Sequence, residues 1–162
     1  MAHDPDVLRG LLERVKAAKG PSQEMEAHIV CVAAAPEGSF VTYGPISGRY
    51  RVCVGQNERG KDLVWEGWPD WNFEEITTSI DAAVALVQHV LPGAMWAAGC
   101  MEGGPFCRLV YPTNAQDRSN LGTGWGHSVS MEAEGGPATV PLAICAALLT
   151  ALLAQQETSD VR

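Results

Sequence analysis

One helix-forming stretch, Thr77–Gly93, constrains the fold of this chain more than any other. Ser79 is a helix N-cap candidate, because its hydroxyl can accept a hydrogen bond from a free amide of the first turn. Asp81 follows in that turn, where a negative charge suits the helix dipole. The pair Pro92-Gly93 ends the helix. A stripe of apolar residues recurs at helical spacing along it: Ile80, Ala83, Val84, Val87 and Leu91. A helix this apolar is expected to lie on a sheet.

The segments before and after this helix predict the other elements. Apolar stripes predict helices over 6–18, with Gly20 as its C′ residue, over 23–34, and from Thr139 to about Ala154. Extended pieces are expected at 40–43 and 49–54, and strands at 95–101, 106–111 and 127–134, the first two of these three forming a hairpin. The tryptophan-rich segment 64–75 and the polar stretch 112–125 are predicted loops.

This order of helices and strands predicts an α/β (α+β) fold. The expected architecture is a three-layer α-β-α sandwich, in which helices cover a small, mostly antiparallel sheet. A chain of 162 residues is one domain by its length. We place that domain at 1–154 and expect 155–162 to be a frayed tail.

Charge and cysteine content exclude several classes of protein. The formal net charge of −8 argues against general nucleic-acid binding, which requires a dominant basic surface. Five cysteines at irregular spacing make a poor disulfide framework, so a reducing, cytosolic compartment is expected. The first ten residues lack the pattern of a signal peptide. The apolar run 140–153 is shorter than the ~20 residues that cross a bilayer, so no membrane association is expected.

No catalytic or metal-binding signature is present in the sequence. Cys100 and Cys107 could serve a Cys-His nucleophile with His127, but nothing in their spacing requires such contact. CxxC and HExxH motifs are absent, and the glycines at 122–126 do not precede a helix as phosphate loops do. We therefore expect neither an enzyme, nor a metal site, nor a cofactor.

The one group of residues in the sequence that could support a binding function combines aromatic and cationic side chains. Aromatic and basic residues occur together between residues 43 and 71, and basic residues outnumber acidic ones in 49–61. The group consists of Tyr43, Tyr50, Trp65, Trp68 and Trp71 with Arg49, Arg51, Arg59 and Lys61. Indole rings stack on bases, and guanidinium groups pair with phosphate in a bidentate fork. The more common role of such residues is to staple an irregular segment to the core or to form an oligomer interface, and both readings stay open. The candidate ligand-binding residues are Arg49, Arg51, Trp65, Trp68, Trp71, Arg108, Asn114, Arg118 and Trp125.

Three stretches together resemble the phage ABA-sandwich domain family. They are LLERVKAAKGP near the start, TSIDAAVALV in the middle and TVPLAICAALLTALL near the end. The family comprises small phage and prophage proteins expected to form a three-layer α-β-α sandwich. The resemblance spans roughly residues 8–153 and implies a viral origin and the host cytosol. It provides no catalytic residues.

Two functions remain open at this point. The first is binding without catalysis of a small anionic nucleotide ligand, such as a cyclic nucleotide or an ADP-ribose derivative used as an immune signal by bacteria. A phage protein that sequesters such a signal would act against host defence, and a homo-oligomer would suit a pocket between subunits. The second is a structural or interaction module whose tryptophans dock a host or phage protein.

Overall fold

The computed structural model describes residues 4–67, 75–111, 127–131 and 136–159. Four helices lie in these ranges: α1 (Pro5–Ala17), α2 (Gln23–Ala33), α3 (Ile80–Val90) and α4 (Val140–Ser159). Six strands accompany them: β1 (Phe40–Gly44), β2 (Arg49–Gln56), β3 (Asp62–Val64), β4 (Met95–Met101), β5 (Gly104–Tyr111) and β6 (His127–Met131). Helices packed with antiparallel strands make this an α+β fold, as the sequence predicts.

The strands form two separate sheets, where the sequence analysis expected a single small sheet. The first sheet has the order β1-β2-β3 and the second has the order β4-β5-β6. Every neighbouring pair is antiparallel. Each sheet therefore consists of three strands consecutive in the chain, each antiparallel to the next. Local patterns found most of these strands but not their division into two sheets.

Helix α4 occupies the centre of the molecule. It packs against α1, α3 and the second sheet, and its residues from Leu142 to Leu149 are at most 1% exposed. The strand β5 faces it with Cys107, Leu109 and Tyr111, which are also nearly inaccessible. A helix that is apolar on every side has to be surrounded by other elements. The sequence analysis gave this central position to α3, which instead lies against α4.

The first sheet is covered by α2, which packs against β1 and β2. Val52 is the core-facing residue of β2, and Ile29, Val30 and Ala33 of α2 belong to the same apolar cluster. The sheet contributes little else to the core, because most of its other residues are at least partly accessible. Its outward surface is thus free of a packing role.

Several predicted helix ends are confirmed by their hydrogen bonds. The Ser79 hydroxyl accepts from the amide of Ala82 at 3.4 Å, and Asp81 lies in the first turn of α3. Gly93, just after that helix, has a left-handed φ of 86°. Thr139 caps α4 by accepting from the amide of Leu142 at 3.4 Å. These ends depend on neighbouring residues alone, which is why sequence reasoning could place them.

Other predicted details were wrong. Gly20 has no left-handed φ, and α1 instead ends at Ala18 in an extended conformation. Ile80 is 42% exposed, while Leu86, which was left out of the predicted stripe of α3, is fully buried. Helix α4 continues to Ser159, five residues beyond its predicted end and into the expected tail. The short strand β3 was not predicted.

Among the helices of the described ranges, none combines the length and the apolarity needed to cross a membrane.

Candidate functional site

A partly open cavity of about 180 Å³ lies on the first sheet. Two cations and one anion border it, namely Arg51 from β2 and the adjacent residues Lys61 and Asp62 at the start of β3. The remaining lining residues are Thr42, Tyr43, Gly44, Pro45, Cys53 and Val64. One excess positive charge in a hollow of a chain that carries −8 overall makes this a candidate site for an anion.

A tight polar turn positions Lys61. The side-chain oxygen Oδ1 of Asn57 accepts from the amides of Arg59 and Lys61, both at 3.0 Å. The backbone amide of Asn57 in turn donates to the carbonyl of Lys61 at 2.9 Å. Gly60 takes a left-handed φ of 71°, which a residue with a Cβ adopts only with strain. The hairpin between β2 and β3 therefore holds the Lys61 backbone in one place beside the cavity.

The register of β1 and β2 positions Arg51. Thr42 lies directly opposite Arg51, so both side chains project from the same side of the sheet. At the end of β1, a Cβ added to Gly44 would come within 3.5 Å of Cζ of Arg51 and within 2.6 Å of Oγ of Ser47. The missing side chain at residue 44 thus leaves space for the Ser47 hydroxyl in the turn after β1, while Arg51 lies at ordinary contact distance from the same position.

Cys53 forms the apolar floor of the cavity. It is fully buried and lies in a row across the sheet with Phe40 on one side and Val64 on the other. Burial raises the pKa of its thiol, the nearby Asp62 raises it further, and Arg51 partly offsets both. The thiol therefore stays protonated at neutral pH and is a poor nucleophile, because the thiolate is the reactive form. The floor offers packing surface and not covalent chemistry.

Asp62 makes a hydrogen bond with Gln56 and, among the described residues, no ion pair with Arg51 or Lys61. Its Oδ1 accepts a hydrogen bond from Nε2 of Gln56 at 2.9 Å, across the irregular end of the β2–β3 pair. No ion pair between Asp62 and either Arg51 or Lys61 occurs in the described part of the chain within salt-bridge distance. The two cations therefore keep their capacity to attract an external anion.

An aromatic pair lies beside the cavity. The rings of Tyr43 and Tyr50 are 5.1 Å apart between centroids and tilted by 56°. Residues alternate along a strand, so these two project to the side of the sheet that carries Val52, away from Thr42 and Arg51. Tyr43 nevertheless borders the cavity as one of its lining residues, whereas Tyr50 does not.

The structure separates the predicted site residues that it describes. Arg51 lines the cavity, whereas Arg49, two residues earlier on β2, does not. Trp65 is half-buried and packs against the hydrophobic core. Arg108 is exposed on β5, in the second sheet. The other predicted positions, Trp68, Trp71, Asn114, Arg118 and Trp125, lie outside the described residues.

Sequence reasoning missed Cys53, Asp62 and Val64 as neighbours of Arg51. The alternation from Arg49 to Cys53 already placed Arg51 and Cys53 on one side of a strand. Asp62 and Val64 could have been placed beside Arg51 from the turn sequence Asn57 to Gly60, which is typical of a hairpin. A returning strand after that turn brings Lys61 and Asp62 back beside β2.

A buried carboxylate ties α2 to the segment that precedes α3. Glu26 is only 2% exposed, and its Oε1 accepts from both the amide and the hydroxyl of Thr77, at 3.1 and 2.6 Å. The amide of Ser22 donates to the same hydroxyl at 3.3 Å. Buried polar groups with such partners fix the relative position of two elements.

The cysteine and histidine chemistry considered from sequence gains no geometric support. Burial raises the pKa of Cys107 to about 12, so its thiolate is scarce at neutral pH. In the sheet register, Cys107 lies opposite Met131, and His127 is four residues further along β6. Burial also raises the pKa of Cys145, whose thiol donates to the carbonyl of Ile76 at 3.5 Å. The described residues contain no cluster of His, Cys, Asp and Glu suited to a metal ion.

Comparisons of the chain with known protein families, curated proteins and solved structures give no match. The resemblance to the phage ABA-sandwich family therefore stays a prediction, and function has to be argued from the molecule itself.

Proposed function

We propose that the protein binds a small anionic ligand at the cavity of the first sheet and does not transform it. One observation carries this proposal: Arg51 and Lys61, from two neighbouring strands, border the same open hollow. A guanidinium group offers a planar fork of donors to a phosphate, and an ammonium group adds a compact charge. Burial raises the pKa of the Cys53 thiol in the hollow, so it is a poor nucleophile, and binding is the chemistry that the lining residues support.

The size of the cavity limits what it can enclose. At about 180 Å³ it is smaller than the roughly 300–1,000 Å³ of pockets that enclose drug-sized ligands. It would hold one compact anionic group, such as a phosphate, while the rest of the ligand extends along the sheet. Nucleotides fit this description, and the predicted phage origin makes the nucleotide signals of bacterial immunity the first ligands to test. Sequestration of such a signal would protect a phage in the host cytosol.

The test is a binding titration with a matched pair of arginine variants. Isothermal titration calorimetry would measure inorganic phosphate, cyclic di- and trinucleotides and ADP-ribose against the wild type, Arg51→Ala and Arg49→Ala. Both variants remove the same charge from the same strand, but only Arg51 lines the cavity. We expect Arg51→Ala to weaken binding at least tenfold and Arg49→Ala to weaken it much less. Ligand recovered unchanged after heat denaturation of the complex would exclude turnover.

A different result would remove the proposal. If no anion of the panel binds at millimolar concentration, the cavity is not a ligand site. If both arginine variants lose affinity equally, the effect is one of general charge and not of the cavity.

A second candidate is a protein-interaction module that uses the same side of the first sheet. Phe40 and Val64 flank Cys53 in the register and are 37% and 44% exposed. Exposed apolar side chains around a cationic hollow suit an acidic protein surface as well as a small ligand. Phe40→Ser, which removes the apolar ring without adding charge, would abolish capture of a protein partner from host lysate but leave phosphate affinity within about twofold, since an uncharged rim residue contributes little to binding a small anion. The first candidate is favoured if Arg51→Ala loses phosphate affinity and the wild type captures no protein partner from the lysate.

A further inference from the structure

Strand β4 (Met95–Met101) is an open edge of the second sheet. It pairs with β5 through all seven of its residues, without a register shift. In the part of the chain that the structure describes, no strand pairs with its other side. The backbone amides and carbonyls that point away from β5 therefore form a row of donors and acceptors available to another strand.

This edge lacks the features that usually prevent strand pairing. Its sequence, MWAAGCM, contains no charged residue and no proline. Natural edge strands are commonly protected by such residues, by bulges or by shortness. The edge strand β3 of the first sheet shows the contrast, because it has three residues, begins with Asp62 and follows a register shift. The middle of β4 is also well ordered by packing, since the ring of Phe106 lies against Gly99.

We propose that two copies of the chain associate through β4, antiparallel and about a two-fold axis, so that the two second sheets form one six-stranded sheet. The side chains of β4 are arranged in part symmetrically about Ala98, with methionines at both ends and Ala97 and Gly99 on either side of Ala98, whereas Trp96 and Cys100 differ in size. In a pairing centred on Ala98, Met95 lies opposite Met101 of the partner subunit, and Trp96 lies opposite Cys100 of the partner subunit. Methionine side chains adapt well to irregular packing surfaces, and their sulfur atoms make favourable contacts with aromatic rings.

Exposure and charge both favour a second copy as the occupant. Met95, Trp96 and Met101 are 47%, 41% and 68% exposed, so pairing would cover large apolar side chains. Two chains of net charge −8 repel each other over most of their surfaces, but β4 brings no charge to the contact. Seven residues on each side are fewer than the roughly 20–30 of a standard interface, so we expect a weak dimer with a dissociation constant in the micromolar range.

Charge complementation tests both the dimer and its register. Met95 and Met101 are exposed and lie at opposite ends of the strand, so charges placed there do not meet within one chain. In Met95→Lys/Met101→Lys, like charges would face each other twice across the two-fold axis. In Met95→Lys/Met101→Glu, opposite charges would face each other twice. Analytical ultracentrifugation from about 1 to 500 μM should show a dimer for the wild type, a dissociation constant raised at least tenfold for the Lys/Lys variant, and recovery in the Lys/Glu variant.

The natural thiol provides a test that requires no change in the strand. Cys100 is the exposed one of the five cysteines, and the other four are buried. In the proposed register the two Cys100 residues are four positions apart along the strands, about 14 Å, which a long bismaleimide spans and a disulfide does not. We expect a covalent dimer with the bismaleimide, none with oxidant alone, and none from Cys100→Ser with either reagent.

Three outcomes would overturn the proposal. The wild type could remain monomeric at all concentrations, or the Lys/Lys and Lys/Glu variants could sediment alike. A disulfide formed by oxidant alone would place the axis at Cys100 and contradict the register centred on Ala98. Circular dichroism spectra of each variant would establish that the chain is folded before its association is compared.

Discussion

The two sheets have the same size and the same meander topology, yet they differ in what their side chains do. The second sheet gives Cys107, Leu109 and Tyr111 to the core, where they meet the fully buried α4. The first sheet gives the core little beyond Val52, and its other residues line the cavity or face solvent. Because few side chains of the first sheet are needed in the core, cations can surround a hollow there without loss of stability. The first sheet is therefore the region where a binding site is compatible with the packing of the core.

The sharpest test of this contrast removes one leucine from each region. Leu148 of α4 is fully buried, so Leu148→Ala leaves a void and should lower the free energy of unfolding by about 2–5 kcal/mol. Leu63 on β3 is 46% exposed, so Leu63→Ala should cost less than about 1 kcal/mol. Urea denaturation followed by circular dichroism measures both. Similar losses in the two variants would mean that the first sheet is as deeply packed as the second.

The next largest effect concerns the buried contact between α2, which covers the first sheet, and the start of α3. Thr77→Val keeps the shape of the side chain but removes the hydroxyl that donates to Glu26. A buried carboxylate oxygen with one donor fewer should lower the free energy of unfolding by about 1–3 kcal/mol. Thr77→Ser retains the hydroxyl and serves as the control, with a smaller loss in the same denaturation experiment. Equal losses would assign the effect to the methyl group.

Two glycine substitutions should change stability in opposite directions. Gly60→Ala forces a Cβ into a left-handed turn of the first sheet and should cost about 1 kcal/mol. Gly10→Ala, in open space on the exposed side of α1, should stabilise by roughly 0.5–1 kcal/mol because alanine favours the helix. Because Gly60 shapes the turn that holds Lys61, its variant should also weaken anion binding, whereas Gly10→Ala should not. Thermal melts and calorimetric titrations of both variants provide the comparison.

The smallest expected effect is a pH dependence at His28, on the outer part of α2. Burial and the charge of Arg14 lower its pKa below the ordinary 6.5, and Glu24 partly offsets them. The folded state therefore disfavours the proton. The resulting contribution to stability is complete above pH 6.5 and decreases as the pH falls from 6.5 through the lower pKa of the folded state. Urea denaturation at pH 7.5 and 5.5 should show a steeper loss for the wild type than for His28→Gln. Identical slopes would contradict the lowered pKa.

The parts of the fold that follow from neighbouring residues could be predicted from sequence. Ser79 and Thr139 identify their helices because capping is a local interaction, and the strand predicted at 95–101 coincides with β4. The division into two sheets could not be predicted, because strand pairing depends on partners distant in sequence. The central place of α4 was also missed, since a helix that is apolar on all sides has no polar face to indicate its orientation.

The candidate site shows the same limit. Arg51 was chosen for its chemistry, and the cavity contains it. Its companions Lys61 and Asp62 depend on the hairpin between β2 and β3, which single-residue reasoning does not provide. Trp65 was chosen for its ring, but its neighbours place that ring against the core. Residue type indicates which interactions a side chain can make, whereas strand pairing determines which neighbours are within its reach.

The chain order of α4 has a consequence for how the protein is made. The ribosome delivers α1, α3 and β5 before residues 140–159, so the apolar surfaces that these elements share with α4 stay without their common partner until α4 is synthesised. Neither the N-terminal helices nor the second sheet can complete their packing early. The nascent polypeptide therefore cannot complete this core before α4 emerges, and until then its apolar surfaces are open to chaperones.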